Sequence, residues 1–249
     1  MKQRPANRRL RGFTLMETLL AIGLVGILLS IFLTVFVPAR SMVRQALTRQ
    51  EAERISGILR AEMSFLRPDE QASAGTTAAS DGQFLSPFDK AFFWMQHSRT
   101  PSNAIVIFSY RADTTKSMRA DGTYPPVPAS RNIPGQGNQL ITLACPLNDS
   151  LHKDDIKDAV GPVFLVKMTQ IVDAGGGKYQ LAGQPGSISG ATSPDKYVSE
   201  DGEKNPWGGV VIYRADFYHM SPPNPARYKG KSWKRLGRPM FSVNMSFRR

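Results

Sequence analysis

The longest apolar stretch of the chain covers residues 18–37, which read TLLAIGLVGILLSIFLTVFV. These twenty residues include no charged side chain. A helix of twenty residues rises about 30 Å, which matches the hydrocarbon thickness of a bilayer. The pattern therefore predicts one transmembrane helix near the N-terminus.

An amphipathic pattern follows Pro38. Apolar positions recur at spacings of three, four and eight residues, and charged or polar side chains fill the positions between them. We expect the helix to continue to about Leu66 and to end at Arg67-Pro68, because the residue before a proline disfavours helical backbone. We expect the apolar stripe to pack on a globular domain, with contact to a neighbouring subunit as the alternative. The stripe consists of Val43, Leu47, Ile55, Ile58, Leu59, Met63 and Leu66.

Short β-branched runs dominate the rest of the chain, after a loop of small and polar residues at 68–83. Long stretches rich in Gly, Pro and Asn separate them, so they predict strands with long connections. The Gly175-Gly176-Gly177-Lys178 run predicts a hairpin turn between Ile171–Asp173 and Tyr179–Leu181. The fold class is therefore α+β, with a long N-terminal helix on a mainly antiparallel sheet. The predicted strands are Ala104–Tyr110, Leu140–Cys145, Val163–Val172, Val210–Tyr218 and Met240–Phe247.

Positive charge is concentrated at the N-terminus. The chain has 32 basic and 20 acidic residues, and five basic residues lie within the first eleven positions. Such a cluster before an apolar span favours a cytoplasmic N-terminus and an exported body. Without those five, the excess of basic residues is mild, so nucleic-acid binding is only a minor hypothesis.

A carboxylate interrupts the apolar pattern at Glu17. At mid-bilayer it would cost about 2.5–3.5 kcal/mol, and less near the interface. If the chain were cut after Gly12, the new α-ammonium of Phe13 would lie one helical turn from Glu17. The ammonium of a neighbouring subunit could serve instead, and Glu17 would then fix the register between subunits.

The segment Gly12-Phe13-Thr14-Leu15-Met16-Glu17, with the apolar run behind it, resembles the cleavage and methylation motif of type IV pilins and type II secretion pseudopilins. The resemblance covers only about residues 1–37. It implies that a membrane peptidase cuts between Gly12 and Phe13 and methylates the new N-terminus, and that Glu17 promotes assembly. An ordinary secretory signal is disfavoured, because Val37-Pro38-Ala39-Arg40 is a poor cleavage site.

The resemblance also implies an organisation and a set of partners. Residues 1–12 would be a leader that is removed, 13–37 the transmembrane and assembly helix, 38–67 its amphipathic continuation, and 68–249 the exported domain. The partners would be other pilin or pseudopilin subunits, the prepilin peptidase and methyltransferase, a membrane assembly platform and the lipid bilayer. The protein would be a single-pass protein of the bacterial inner membrane, with its C-terminal domain in the periplasm or in an extracellular filament.

Catalytic and cofactor motifs are hard to find. Cys145 is the only cysteine and is expected to be a small buried hydrophobe. The three histidines, His97, His152 and His219, show no ligand spacing. We therefore expect no enzymatic activity and no cofactor. One acidic loop offers oxygen ligands that suit Ca²⁺, and some pseudopilins hold calcium in late loops, but a solvated loop is the favoured interpretation. Its residues are Asp195, Glu200, Asp201 and Glu203.

Three functional hypotheses follow. The first is a filament subunit, specifically a minor pseudopilin of a type II secretion or related type IV pilus system. The second is a minor pilin that binds DNA or surfaces through a basic C-terminal region with interleaved aromatic residues. The third and weakest is a membrane-anchored enzyme. The residues predicted for nucleic-acid contact are Arg227, Lys229, Lys231, Trp233, Lys234 and Arg235.

Overall fold

The computed structural model describes residues 14–73, 82–131, 139–189 and 209–249. The chain divides into two compact units, Met1–Gln50 and Glu51–Arg249. The first unit contains the apolar helical segment, and the second contains the sheet.

Helix α1 covers Leu15–Glu62 and so contributes residues to both units. It ends four residues before the predicted end at Leu66. The Ser64 hydroxyl donates to the carbonyl oxygen of Ala61 at 2.7 Å, and the Ser64 amide donates to the same residue at 3.0 Å. A serine that competes for the last carbonyl groups in this way favours a helix end over a further turn.

The last turns of α1 belong to the hydrophobic core of the second unit. Ile55, Leu59 and Met63 are buried together with side chains of the sheet. The sulfur of Met63 accepts a hydrogen bond from the Tyr213 hydroxyl at 3.3 Å. The predicted stripe therefore packs on the domain over these turns.

A second helix, α2 (Pro87–His97), was not predicted. The Ser86 hydroxyl accepts a hydrogen bond from the amide of Asp89 at 3.3 Å, and Pro87 occupies the first turn. Both are strong helix-start signals. The buried residues Phe88, Ala91, Phe92 and Met95 follow the helical spacing of three and four.

Over the described residues the sheet has six strands, all paired antiparallel, in the order β2-β1-β3-β5-β6, with β4 paired to β3. The five predicted strands are confirmed to within one residue at each end. The predicted hairpin at Gly175–Gly177 is also confirmed, because Ile171–Asp173 pairs with Tyr179–Leu181. The α+β class is thereby confirmed. The strands are β1 (Ile105–Arg111), β2 (Leu140–Pro146), β3 (Phe164–Asp173), β4 (Tyr179–Leu181), β5 (Val210–His219) and β6 (Phe241–Arg248).

Both faces of the sheet carry a hydrophobic core. Side chains alternate along a strand, so Ile105 and Ile107 lie on the face with α2 and the end of α1. Val106 and Phe108 lie on the opposite face, where the connections after β2 and β5 cover them. The connection after β2 carries His152 and Asp155, and the connection after β5 carries the predicted basic contact residues.

Candidate functional site

The start of α1 is a capping box. The backbone amide of Thr14 donates to Oε2 of Glu17 at 3.4 Å, and the amide of Glu17 donates to Oγ1 of Thr14 at 3.3 Å. This reciprocal pair satisfies the Thr14 amide and gives a second acceptor to the Glu17 amide, which also donates to the Thr14 carbonyl oxygen at 3.0 Å. The Thr14-Leu15-Met16-Glu17 sequence carries the Thr-x-x-Glu signature, so the arrangement could have been predicted.

Glu17 therefore has a local role whether or not it meets an ammonium group. Its carboxylate lies at the positive end of the helix dipole, which stabilises a negative charge in the first turn. Its side chain is exposed, so the carboxylate is also accessible to a second cationic partner. Gly12 and Phe13, the predicted processing residues, lie outside the described part of the chain.

The apolar part of α1 can cross a membrane by length and composition. Leu15–Thr34 spans 20 residues, and none of these residues is buried within the protein. The Thr18 hydroxyl donates to the carbonyl of Leu15, and that of Thr34 to the carbonyl of Ser30, each at 2.8 Å. Hydroxyl groups that are satisfied inside their own helix are compatible with lipid surroundings.

A buried network of ion pairs was not predicted. Six side chains of alternating charge form consecutive contacts through the second unit, and we call them the ion-pair chain. They come from the end of α1 and from three connecting segments that are far apart in sequence. In spatial order they are Glu62, Arg67, Asp121, His152, Asp155 and Arg119.

The first half of the ion-pair chain joins the end of α1 to the connection between β1 and β2. Arg67 Nε lies 2.6 Å from Glu62 Oε1, and Arg67 Nη1 lies 2.9 Å from Asp121 Oδ2. The side chains of Glu62 and Asp121 are buried. Both carboxylates favour the charged guanidinium, and they raise the pKa of Arg67 against the opposing effect of burial.

The second half is centred on His152, which lies between two carboxylates. Its Nε2 is 2.9 Å from Asp121 Oδ2, and its Nδ1 is 3.1 Å from Asp155 Oδ2. Burial opposes the charged ring, but the hydrogen bonds to Asp121 and Asp155 outweigh it and raise the pKa of His152 to about 9. The ring is therefore an imidazolium at neutral pH, with both nitrogens donating.

The pKa values of the two carboxyl groups shift in the opposite direction to that of His152. Despite burial, the hydrogen bonds from His152 and Thr123 lower the pKa of Asp121. The hydrogen bonds from Arg119 and His152 lower the pKa of Asp155 in the same way. Arg119 Nη2 completes the ion-pair chain at 2.9 Å from Asp155 Oδ1.

A buried lysine lies beside the ion-pair chain. Lys90 on α2 is fully buried, with Nζ 2.6 Å from Glu70 Oε2 and 3.8 Å from Glu62 Oε1. The ammonium also lies 4.7 Å from the ring centroid of Trp94. A buried ammonium is tolerated only when it is paired in this way.

A cavity of about 340 Å³ opens next to these groups, between the segment after α1, α2 and the end of β2. Arg67, Asp121 and His152 on its wall are already paired with one another. Cys145 also lines it, and burial raises the pKa of the thiol well above its usual range. The predicted buried, hydrophobic role of Cys145 is confirmed, and the cavity offers no thiolate nucleophile.

The predicted basic contact residues lie on the connection between β5 and β6. Arg227, Lys229, Lys234 and Arg235 are exposed and Lys231 is half-buried. Trp233 points inward instead: its indole Nε1 donates to the carbonyl of Ser98 at 2.8 Å, and its ring packs on Tyr218. The cations are thus accessible to phosphate groups, whereas this indole is not accessible for stacking on a base.

The predicted calcium site is the remaining candidate. Asp195, Glu200, Asp201 and Glu203, the candidate calcium ligands, lie outside the described part of the chain. Within residues 14–73, 82–131, 139–189 and 209–249, no group of three or more His, Cys, Asp or Glu side chains has a geometry that could hold a metal ion.

Comparison with protein-family models, with curated proteins and with solved structures found no match to this chain.

Proposed function

We propose that this chain is a prepilin-type filament subunit, specifically a minor pseudopilin of a type II secretion or related type IV pilus system. The observation that carries the proposal is the start of α1. Glu17 caps an apolar helix long enough to cross a membrane, and it stands five residues after Gly12 in a segment that resembles the pilin processing motif.

The proposed cycle uses these residues in order. A prepilin peptidase cuts between Gly12 and Phe13 and methylates Phe13, and the span holds the subunit in the inner membrane until it enters the filament. The capping box keeps α1 helical up to its first turn, so the Glu17 carboxylate is presented at a fixed position. In the filament, Glu17 pairs with an N-terminal amine of its own or a neighbouring subunit.

The fold is compatible with that role. The last turns of α1 pack on an antiparallel sheet, which is the arrangement that the resemblance implies for pilin-like subunits.

Co-expression with a prepilin peptidase tests the processing step. The wild-type chain should lose its first twelve residues, and Gly12→Val should block this loss because the peptidase recognises a glycine at that position. Gly26→Ala is the matched control, since an added Cβ at Gly26 meets no atom within 4 Å. Processing of Gly12→Val at the wild-type rate would refute the proposal.

Assembly is tested with a second pair of variants. Glu17→Gln removes the charge that pairs with the amine and should reduce recovery of the subunit in sheared filaments. Glu53→Gln removes another exposed carboxylate from the same helix and should leave recovery unchanged. Equal recovery of both variants would contradict the assembly role of Glu17.

Binding of DNA by the same subunit is the second candidate function. The exposed cations between β5 and β6 favour it, because no acidic residue occurs in positions 217–249. Since Trp233 is buried, the contact would be to phosphates and would weaken steeply with salt. Fluorescence anisotropy of a labelled duplex should show this salt dependence, and no binding at low salt would exclude the function.

A further inference from the structure

Strand β6 forms one edge of the sheet. It pairs with β5 on its inner side over Phe241–Arg248, and none of the described strands pairs with its outer side. The segment Phe241–Phe247 contains no charged residue, proline or glycine. Natural sheets usually protect an edge with one of these residues, so an unprotected edge of this length is a template for another strand.

The sequence of this edge is nearly symmetric. It reads Phe-Ser-Val-Asn-Met-Ser-Phe and is the same in both directions around Asn244, except that valine is exchanged for methionine. If two copies of β6 pair antiparallel about Asn244, Phe241 of one copy lies opposite Phe247 of the other. Ser242 likewise lies opposite Ser246. Val243 then meets Met245, and Asn244 meets itself.

This pairing requires that Asn244 and every second residue on either side of it direct their backbone amides and carbonyls away from β5. The amide of Arg249 donates to the carbonyl of Gly209 at 2.7 Å, at the end of the β5–β6 ladder. Hydrogen-bonded pairs alternate along an antiparallel ladder. The odd-numbered residues of β6 therefore bond to β5, and Ser242, Asn244 and Ser246 direct their amides and carbonyls outward. A ladder centred on Asn244 sets these outward groups opposite one another and gives about six hydrogen bonds.

The side chains are compatible with the same register. Phe241, Val243, Met245 and Phe247 lie on the helix-covered face, where they belong to or pack against one core. Apolar cross-strand pairs on one face stabilise an antiparallel ladder. Arg248 lies one residue beyond the symmetric segment Phe241–Phe247, so no cation falls within the paired ladder.

We propose that β6 is a self-complementary edge through which two copies of this chain join their sheets, with Asn244 on the twofold axis. The occupant is a second copy because the symmetry matches the segment to itself. The proposal is independent of the filament function, since it uses no residue of α1.

Cysteine cross-linking of the full-length protein in a neutral detergent tests the register. Asn244→Cys brings the two Cα atoms to about 5.5 Å, which is within disulfide range. Ser246→Cys is the matched control on the same exposed face, and its two Cα atoms would be about 14 Å apart. The native Cys145 is buried and gives a low background. The Asn244→Cys dimer should form at least tenfold faster, and equal rates would overturn the proposal.

A third variant separates loss of pairing from loss of folding. Asn244→Pro removes an outward amide without removing a hydrogen bond to β5, and proline is tolerated at such an edge position. Light scattering in detergent should find a dimer for the wild type and a monomer for Asn244→Pro, with unchanged circular dichroism. A wild-type monomer would overturn the proposal, and cleavage at Gly12 can be followed in the same samples as a separate result.

Discussion

The free energy of unfolding of the sheet domain should decrease as the pH rises from about 6.5 to about 9. The reason is that the proton on His152 stabilises the centre of the ion-pair chain. The hydrogen bonds to Asp121 and Asp155 raise the pKa of His152 from 6.5 to about 9. A group whose pKa is raised by folding stabilises the protein fully below its unfolded pKa. That contribution is lost as the pH rises through the folded pKa.

The size of the effect follows from the shift. Each pKa unit corresponds to about 1.4 kcal/mol, so the raised pKa of His152 stabilises the folded state by about 3 kcal/mol at pH 5.5. The side chain is almost completely buried, at 4% exposure, so solvent screening reduces this value little. Most of the stabilisation should be absent at pH 9.

Urea unfolding of the full-length protein in neutral detergent, followed by tryptophan fluorescence from pH 5.5 to 9, measures the effect. The wild type should lose about 3 kcal/mol over this range. His152→Gln should be less stable at pH 5.5 and should lose this part of the pH dependence, since glutamine does not titrate. His219→Gln, at an exposed position on β5, is the control and should behave as wild type. A full wild-type slope in His152→Gln would refute the reasoning.

Three further substitutions test packing and capping. Leu59→Ala should cost about 2–5 kcal/mol in unfolding free energy because Leu59 is fully buried, whereas Ile212→Ala, at an exposed position, should cost far less; similar losses would contradict the assigned core. Ser86→Ala should cost about 1 kcal/mol through loss of the α2 cap, and an unchanged denaturation midpoint would show that the cap is dispensable. Thr14→Ala should accelerate amide hydrogen exchange of Glu17 about fivefold through loss of the Thr14 hydroxyl, and exchange at the wild-type rate would argue against the capping box.

The strands could be predicted because each is signalled locally. Runs such as Val163–Val172 alternate or remain apolar over a length typical of strands, and glycine or proline marks their ends. Helix α2 was missed although its signals are local as well. Ser86-Pro87 starts a helical pattern, but three adjacent aromatic residues, Phe92, Phe93 and Trp94, obscure its periodicity.

The ion-pair chain could not be predicted in the same way. His152 and Asp121 lie 31 residues apart, and only the tertiary fold brings them within hydrogen-bonding distance. The burial of Trp233, on the basic connection between β5 and β6, could not be predicted either. The composition of this connection indicates only that an aromatic residue is available to contact bases. The buried position of Trp233 depends on Ser98 and Tyr218, which lie on other parts of the fold.

Mass spectrometry of the N-terminus, on protein isolated from its native membranes, tests the central claim most directly. The proposed function predicts a chain that begins at N-methylated Phe13. A chain that still begins at Met1 in the presence of active prepilin peptidase would contradict the claim. Cleavage near Ala39 would contradict it as well, because it would indicate conventional export.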